Sequence, residues 1–268
     1  MNIALIKDHN SKQCDTINEW LRPNHEISII TSMPEAWRHG LIPDFDLVIP
    51  MISSRRLVQT DNNPIDILSA LEGDGVLSTN SSRAILLSQD KHTTHKKWQR
   101  IGLSQPKTYQ LKNKLGWPKR GQPLILKPNH GSEGKHVQLV YSLREARSIA
   151  RQWSDDALLQ EYLHDPVCLR VIATPSSVLS AYEKVLPGAL VKNIGLGATR
   201  KKVELDANTR LLAQNMVAGV GGGIMGVDIL IKNDRAYALE ANASFGIDST
   251  DQQLRKSFIS FIQKMDRR

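Results

Sequence analysis

The chain has 268 residues, of which 40% are hydrophobic and 23% charged, and this composition is typical of a globular protein rather than a disordered one. No apolar run approaches the roughly 18 residues that a membrane helix needs, and the first segment turns polar too soon for a signal peptide. Cys14 and Cys168 lie far apart without metal-ligand spacing, so neither a zinc site nor a disulfide framework is indicated. We therefore expect a cytoplasmic protein without a membrane partner.

The net charge of +8 is informative because of where it lies. Between Asp90 and Glu133 the sequence has ten Lys or Arg residues and no acidic residue. Such a field attracts polyphosphates, acidic peptides or nucleic acid, although a solvated basic surface is the alternative for most of these residues. Aromatic residues make up only 5% of the chain, so the stacking groups that RNA recognition needs are scarce. A nucleic-acid partner therefore ranks last.

Residues 1 to about 90 alternate short apolar runs with polar helical segments. The predicted strands are Ile3–Ile6, Glu26–Ile30, Leu47–Ile49 and Val76–Thr79. The predicted helices are Ser11–Leu21, Pro64–Leu71 and Ser81–Leu87. This β-α-β-α order predicts a small parallel α/β domain. A dinucleotide fingerprint is absent, because Lys7–Asn10 follows the first strand instead of Gly-x-Gly-x-x-Gly.

The middle of the chain predicts strands on either side of a glycine-containing loop. The predicted elements are helix Thr93–Arg100, strand Leu124–Lys127, strand Val137–Tyr141, helix Ser142–Trp153 and strand Ala157–Leu163. The loop Asn129–His136 joins the first two strands and contains two glycines and a serine. Its backbone N–H groups are able to close over phosphate oxygens. A flexible hairpin is the alternative, because the pattern alone is weak.

The last third of the chain predicts four further strands and two helices. The strands are Leu169–Ala173, Val178–Val185, Ile224–Ile231 and Ala236–Asn242, and the helices are Asp206–Gly219 and Gln252–Lys264. The last two strands flank a polar turn and predict a β-hairpin. Folding this hairpin about Asn233 and Asp234 places Asp228 opposite Glu240, or one residue off, with Asn242 on the face of Glu240.

Two carboxylates and an amide on one face of apolar strands indicate a bound cation, because opposed like charges are destabilising. Hard oxygen ligands with few carboxylates suit magnesium, which completes its shell with water and substrate phosphates. The alternative is that Asp228, Glu240 and Asn242 are solvent-facing residues of an ordinary hairpin.

The order of these features resembles the ATP-grasp superfamily of carboxylate–amine ligases over nearly the whole chain. The most similar branch is that of the ribosomal-protein glutamate ligases (RimK-type). The matching segments are Glu72–Ser81, Asp90–Lys91, Gly102–Thr108, Leu126–Pro128, Gly131–Gly134, Gln160–Leu163, Gly226–Asp228 and Glu240–Gly246. The last of these is close to the Glu-x-Asn-x-Ser-x-Gly pattern of that branch.

The resemblance implies a mixed α/β (α+β) ATP-grasp fold. A small parallel α/β domain, residues 1–88, is expected to precede two subdomains with antiparallel sheets that grip ATP. The central subdomain, residues 89–163, is expected to carry the glycine-rich lid. The C-terminal subdomain, residues 164–268, is expected to carry the metal site.

The resemblance also implies which residues bind ATP and metal. Lys91 and Lys127 are expected to reach the α- and β-phosphates from two sides. The implied lid over the γ-phosphate consists of Gly131, Ser132, Glu133 and Gly134. The implied hinge beside the adenine consists of Gln160, Glu161, Tyr162 and Leu163. Two Mg²⁺ ions, with Mn²⁺ as a substitute, are expected on Asp228, Glu240 and Asn242, with Glu240 bridging them.

The residues around the substrates depart from the family pattern. Arg170 matches a family arginine near the phosphates, and Ser244 and Gly246 are expected where the substrates meet. Cys168 stands where relatives carry an aspartate, and residues 193–197 replace a basic His-Arg-Gly-Gly-like segment. Cations available to replace its arginine are Lys184, Lys192, Arg200 and Lys201. Further substrate contacts are expected from Ser53, Ser54, Arg55 and Arg56, for which a plain polar loop is the alternative.

Together these features predict an ATP- and Mg-dependent ligase that forms an amide bond through an acylphosphate and releases ADP and phosphate. The basic charge favours an acidic partner, such as glutamate, a glutamyl peptide or an acidic carrier protein. A homo-oligomer is expected by analogy with relatives alone. The alternative from another class is a regulatory or scaffold protein that binds ATP without turnover. The altered segment 193–197 favours that alternative, whereas the retained metal-binding trio opposes it.

Overall fold

The computed structural model describes residues 1–7, 12–38, 41–52, 63–113, 116–117, 121–131 and 134–266. These residues form three β-sheets and eight α-helices. None of the helices in these ranges is long and apolar enough to cross a membrane. The predicted site residues that lie outside the described ranges are Ser53, Ser54, Arg55, Arg56, Ser132 and Glu133.

The first sheet is parallel and is formed by the N-terminal part of the chain. Its strands are β1 (Asn2–Lys7), β2 (Glu26–Ile30), β3 (Leu47–Met51) and β4 (Leu77–Ser78), in the order β2-β1-β3-β4. The accompanying helices are α1 (Lys12–Leu21), α2 (Glu35–Arg38), α3 (Pro64–Gly73) and α4 (Ser82–Gln89). The predicted parallel α/β arrangement is confirmed. Helix α2 was not predicted, because four residues are too few to show a helical period.

The second sheet is antiparallel and has a hydrophobic core of its own. The chain passes through α5 (Lys91–Arg100), β5 (Thr108–Gln110), β6 (Leu124–Pro128), β7 (Gln138–Val140), α6 (Leu143–Ala150) and β8 (Ala157–Glu161). The strands are ordered β5-β8-β6-β7. Buried side chains of β6, β7, β8 and α6 pack together, including Leu126, Val140, Ala146 and Leu159. The glycine-containing loop joins β6 to β7, which pair as a hairpin.

The third sheet is antiparallel and has five strands. Its part of the chain contains β9 (Val167–Ala173), β10 (Val178–Val185), β11 (Thr199–Lys202), α7 (Ala207–Val220), β12 (Met225–Lys232), β13 (Arg235–Asn242) and α8 (Gln252–Met265). The strands are ordered β11-β10-β9-β12-β13. The sequence analysis does not predict β11, because its four residues include no apolar side chain and all of them are exposed.

The first and third sheets share two hydrophobic cores. One core packs Leu5 and Ile49 of the first sheet against Phe245 and Phe258 from the end of the chain. The other joins helices α3 to α5 to the buried faces of α7 and the third sheet. The subdomain boundaries at residues 88 and 163 stay a prediction. Because both cores contain residues of the first and third sheets, these two sheets pack directly against each other.

A buried asparagine fixes the start of β12 relative to the first sheet. Asn80, 2% exposed, follows β4 and donates through Nδ2 to the carbonyl of Ile224 at 2.6 Å. Its Oδ1 accepts from the N–H groups of Gly223 at 3.0 Å and Ile224 at 3.2 Å. These bonds satisfy the polar backbone of a buried turn and set where β12 begins.

Candidate active site

A β-bulge in the β12–β13 hairpin brings Asp228 opposite Glu240. The two-residue turn at Asn233 and Asp234 has positive φ at both positions, as a type I′ turn requires. Ile229 therefore pairs with Ala238, and an unbroken ladder would place Asp228 opposite Leu239. The register shifts between Asp228 and Ile229, so Asp228 pairs with Glu240 instead. The predicted register is confirmed, and the bulge places both carboxylates on one face.

Asp228 is buried between two cations from neighbouring strands. Arg170 on β9 lies directly across from it, with its Nε 2.8 Å from Asp228 Oδ1. Lys184 on β10 places its Nζ 3.0 Å from the same oxygen. Burial alone would raise the pKa of Asp228, but these two positive charges outweigh it and the pKa is lowered. Asp228 is therefore ionised at neutral pH.

Glycine at position 226 makes room for the Arg170 guanidinium. A Cβ on this residue would lie 2.6 Å from Arg170 Nη1 and 2.5 Å from the carbonyl oxygen of Phe245. Both separations are shorter than non-bonded atoms tolerate, so Gly226 allows the arginine and the backbone after β13 to approach β12. The resemblance includes this glycine in the Gly226–Asp228 match.

The donor atoms around Asp228 and Glu240 fit a divalent cation. Asp228 Oδ1 is buried and accepts no aligned hydrogen bond, although two cations lie within 3.0 Å. Glu240 is partly exposed, and Asn242 donates through Nδ2 to the Gly226 carbonyl at 3.4 Å, so its Oδ1 is the atom that can face a cation. Among the described residues no three His, Cys, Asp or Glu side chains converge. Magnesium here would take two carboxylates and an amide, with water and phosphate oxygens completing its shell.

Lys127 on β6 connects the second sheet to this carboxylate pair. Its side chain is buried, donates to Gln160 Oε1 at 3.0 Å and lies 3.9 Å from Glu240 Oε1. Burial lowers the pKa of Lys127 to about 8, and the charge of Glu240 partly opposes this shift. A buried ammonium with one neutral acceptor and a more distant carboxylate is well suited to a phosphate oxygen.

Lys91 lies at the base of the glycine-containing loop. Its Nζ donates to the carbonyl of Gly131 at 2.8 Å and of Asn129 at 3.4 Å. The other end of the loop meets the segment between β10 and β11, because a Cβ on Gly134 would lie 2.3 Å from Val191 Cγ1. Gly134 also has φ +70°, which favours glycine. The described ends of the predicted lid therefore contact both sides of the cavity.

A cavity of about 840 Å³ brings most of the predicted residues together. Its described lining includes Lys91, Lys127, Gly131, Gly134, Gln160, Glu161, Tyr162, Leu163, Arg170, Lys184, Lys192, Asp228, Glu240, Asn242 and Ser244. The predicted hinge residues connect the second and third sheets. Glu161 accepts from Lys107 N at 3.2 Å and donates through its own N–H to the Lys107 carbonyl at 2.8 Å. The hinge is thus hydrogen-bonded to the residue that precedes β5.

A second cavity, of about 400 Å³, lies beyond the loop that follows β13. Ser244 lines the large cavity and Gly246 lines the second one, so this loop forms a wall between them. Arg200 lies above the ring of Tyr182, 5.3 Å from its centroid, and pairs with Asp248 at 3.0 Å. The second cavity thus carries a partly exposed guanidinium close to Gly246.

The four candidate replacements for the missing arginine lie in different places. Lys184 contacts Asp228, and Arg200 lines the second cavity. Lys192 donates to Asp165 at 3.3 Å and to the Pro166 carbonyl at 2.9 Å, beside the hinge. Lys201 points to the opposite face of β11, where it is 72% exposed and lies 3.9 Å from Glu183. The segment that replaces the basic motif forms a short 3-10 helix, Ile194–Leu196.

Two residues that the sequence analysis does not single out also line the large cavity. Gln13 on α1 accepts through Oε1 from the N–H groups of Gly246 at 2.9 Å and Ile247 at 3.1 Å. His95 on α5 lies behind Lys127 and Gln160. Neither belongs to a short motif, and each contacts residues far away in the chain, so no local pattern identifies them.

Comparisons with known proteins agree with the order of the sequence motifs. Residues 81–262 match the model of the RimK-like ATP-grasp domain family. Curated relatives include the probable alpha-L-glutamate ligase 2 of Hahella chejuensis (strain KCTC 2396), 28% identical over 235 residues that cover 82% of this chain and 76% of the relative. The protein of the same name in Shewanella sp. (strain MR-4) is 26% identical over 276 residues, covering 97% and 89%.

Solved structures share the fold at low sequence identity. D-alanine–D-alanine ligase from Bacillus anthracis, complexed with ATP, has a TM-score of 0.72 and 17% identity, and covers 100% of this chain and 98% of its own. The ATP-grasp ligase PsnB, complexed with a minimal precursor, has a TM-score of 0.71 and 18% identity, with coverages of 98% and 99%. The predicted fold is confirmed, and this chain belongs to the RimK-like family of ATP-grasp proteins.

Proposed function

We propose that this protein is an ATP- and Mg-dependent ligase that joins a carboxylate to an amine through an acylphosphate and releases ADP and phosphate. The observation that carries the proposal is the pairing of Asp228 with Glu240 on one face of the β12–β13 hairpin. This face borders the same cavity as Lys91 and Lys127. An ordinary solvent-exposed hairpin would not bury a carboxylate between two strand cations.

The large cavity suits a nucleotide in size and charge. About 840 Å³ lies within the usual range of small-molecule sites. We assign the adenine to the hinge Gln160–Leu163, with the phosphates between Lys91 and Lys127 under the loop that begins at Gly131. Two Mg²⁺ ions, or Mn²⁺ in their place, are assigned to Asp228, Glu240 and Asn242. Bound there, the metal supplies charge that offsets the phosphate oxygens.

The proposed reaction has two steps. A carboxylate oxygen of the donor attacks the γ-phosphorus and the bond from that phosphorus to ADP breaks, which gives an acylphosphate. The amine nitrogen of the acceptor then attacks the acyl carbon, the carbon–oxygen bond to phosphate breaks, and the amine releases a proton to solvent. Lys127, Arg170 and Lys184 contribute positive charge where negative charge develops, so electrostatic positioning is their role.

We propose an acidic substrate, namely glutamate, a glutamyl peptide or an acidic protein. The net charge of +8 and the cations around both cavities support this assignment. The names of the curated relatives, alpha-L-glutamate ligases, support it as well. The proposal includes a cytoplasmic location, with no role for nucleic acid or membrane. Assembly into a homo-oligomer stays a prediction.

The test is ADP release with Mg-ATP and a pooled panel of amino acids and acidic peptides, with mass spectrometry of the products. ADP together with a product formed by loss of one water, both absent in Glu240→Gln, would support the ligase and identify its substrates. AMP and pyrophosphate would contradict the acylphosphate route. Equal use of neutral and acidic substrates would contradict the acidic assignment.

A second candidate function is nucleotide-dependent regulation without turnover. The observation that favours it is Leu196, which is 54% exposed in the segment where related ligases carry basic residues. In that case the protein would bind Mg-ATP tightly, and no member of the panel would stimulate ADP release. The carboxylate pair Asp228 and Glu240, together with Lys91 and Lys127 in the same cavity, favours the ligase.

A further inference from the structure

A chain of buried hydrogen bonds runs from α5 to Lys127. His95 is 4% exposed, and its Nδ1 lies 2.6 Å from Gln105 Oε1. Its Nε2 lies 3.3 Å from Gln160 Nε2, and Gln160 Oε1 accepts from Lys127 Nζ at 3.0 Å. The side chains come from four separate segments, and the chain ends at the ammonium that we assign to the phosphates.

The hydrogen bonds determine which atoms of this chain donate. The Gln105 amide nitrogen donates to the backbone carbonyl of His95 at 2.8 Å, so the Gln105 oxygen faces Nδ1. That oxygen can only accept, and His95 therefore carries its proton on Nδ1. The Nε2 lone pair then accepts from the Gln160 amide nitrogen, whose other proton goes to Thr108 Oγ1 at 2.8 Å.

We propose that His95 is a positioning residue that holds the Gln160 amide in the orientation that accepts from Lys127. In the reversed orientation the amide NH₂ of Gln160 would face the ammonium, and two donors would meet without an acceptor. Neutral His95 opposes that reversal, because its Nε2 requires a donor. The inference rests on the proposed function, in which Lys127 contacts the nucleotide phosphates.

The environment of His95 keeps this orientation in place. Burial, together with the nearby positive charge of Lys127, lowers the pKa of His95 to about 3. The imidazole is therefore neutral at physiological pH, and its lone pair is available. Trp98 on the same helix is also buried and lies edge-on to His95, with 5.7 Å between the ring centroids. Its indole N–H donates to the Met216 carbonyl of α7 at 3.0 Å, so Trp98→Phe keeps a ring beside His95 and removes only this hydrogen bond.

The experiment measures Mg-ADP binding by calorimetry and thermal stability for His95→Leu, His95→Gln and Trp98→Phe. His95→Leu should weaken Mg-ADP binding about tenfold, because Lys127 loses an oriented acceptor. His95→Gln should bind Mg-ADP within about threefold of the unaltered protein, since the glutamine side-chain oxygen can replace the Nε2 acceptor. Trp98→Phe should lower the melting temperature and leave binding unchanged, as a purely structural position would.

A second variant covers the case in which His95→Leu does not fold. Gln160→Met keeps the backbone of the hinge but interrupts the same side-chain hydrogen bonds one step closer to Lys127, and it should weaken binding by a similar factor. Combining it with His95→Leu, where that variant folds, should add little, because the two residues act as one unit. Additive losses, or unchanged binding in a folded His95→Leu or Gln160→Met variant, would overturn the positioning role. No Mg-ADP binding by the unaltered protein would instead overturn the proposed function, and this inference with it.

Discussion

The proposed nucleotide half and the proposed acceptor half of the site are built from different kinds of structure. The nucleotide half comprises Lys91, Lys127, the hinge and the Asp228–Glu240–Asn242 trio, most of which lie on strands or at a helix N-terminus. The acceptor half comprises residues 186–203 and Ser244–Asp248, which are loops, a short 3-10 helix and an edge strand. Strand pairing holds most residues of the first. In the second, β11 pairs with β10, whereas the Gln13 side chain holds the N–H groups of Gly246 and Ile247.

This difference has energetic consequences. Asp228 and Lys127 are buried, and the Arg170 side chain is only 16% exposed. The removal of Arg170 or Lys184 leaves Asp228 with one cation, and the removal of Glu240 takes away the carboxylate near Lys127. Arg200 and Asp248 are partly exposed, and their ion pair contributes little to stability. Changes at such exposed positions of the acceptor half are therefore expected to alter specificity at small cost in stability. The nucleotide half tolerates few changes.

The largest expected effect is from Glu240→Gln. We expect turnover to fall at least about a thousandfold, because one of the two carboxylates assigned to the metal is lost while the shape of the side chain is kept. Mg-ADP affinity should change less, since the hinge and both lysines remain. ADP release and calorimetry measure the two quantities.

A matched control for Glu240→Gln exists on the same hairpin. Asp234→Asn removes an exposed carboxylate at the turn, where φ is +56° and asparagine is well tolerated. Its turnover should equal that of the unaltered protein. Glu240→Gln with full turnover would show that the nucleotide half does not work as described.

The next largest effect is expected from Arg200→Gln in the acceptor half. We assign the carboxylate of the acceptor to Arg200, which lines the second cavity. The KM for the acceptor should therefore rise by up to about a hundredfold when this charged hydrogen bond is lost. The KM for ATP should stay constant. Steady-state kinetics with the acceptor that product analysis identifies would measure both constants.

The neighbour of Arg200 provides its control. Lys201→Gln removes the same charge from the opposite face of β11 and should leave both constants unchanged. An analogue of the acceptor without the carboxylate should bind equally to the unaltered protein and to Arg200→Gln. An equal loss in Arg200→Gln and Lys201→Gln would indicate a general effect of charge and contradict a specific contact.

The strands of the nucleotide half were easier to predict from the sequence than the loops and edge strand of the acceptor half. Alternation along a strand predicts that Glu240 and Asn242 share a face, and the turn predicts the register of Asp228 with Glu240 to within one residue. The bulge that decides between the two registers depends on the strands and loops packed around β12, which no local pattern contains. Strand β11 is missed for a related reason, since an edge strand of polar residues lacks an apolar alternation.

Contacts that span long sequence separations were not predictable. His95 contacts Gln160, 65 residues away, and Gln13 contacts Gly246, 233 residues away. A histidine on a basic helix and a glutamine at a helix start are ordinary surface residues by pattern. Only the packing of the sheets reveals that both support the site.

A pH-dependent loss of stability is expected from His95. Its folded-state pKa of about 3 is far below its usual 6.5, so the unfolded chain binds the proton first as the pH falls below 6.5. Stability is therefore complete above pH 6.5 and decreases from there towards pH 3. At pH 5 the loss should be about 2 kcal/mol. Urea unfolding at pH 7 and pH 5 would measure it.

The variant His95→Gln isolates this contribution. Glutamine does not titrate, so the difference in unfolding free energy between pH 7 and pH 5 should be smaller in the variant by the same amount. Equal pH dependence in both proteins would mean that His95 is accessible to protons in the folded state. The buried chain to Lys127 would then be incorrect.

The smallest expected effect concerns Gly134, where the lid of the nucleotide half meets Val191 of the acceptor half. Gly134→Ala should lower kcat/KM for ATP about tenfold, because a Cβ would lie 2.3 Å from Val191 Cγ1 at a backbone φ of +70°. Gly121→Ala is a matched control, since φ there is +80° and no atom lies within 4 Å of its Cβ.

The comparison of these variants separates backbone strain from contact between the two halves. Adding Val191→Ala to Gly134→Ala removes the clash and should restore most of the loss, leaving only the strain that Gly121→Ala reports. If Val191→Ala restores nothing, the effect of Gly134→Ala comes from φ alone and the two halves move independently. If Val191→Ala by itself raises the KM for both ATP and acceptor, the contact couples lid position to the acceptor loop. The nucleotide half and the acceptor half would then not be independent, because the contact between Gly134 and Val191 links them.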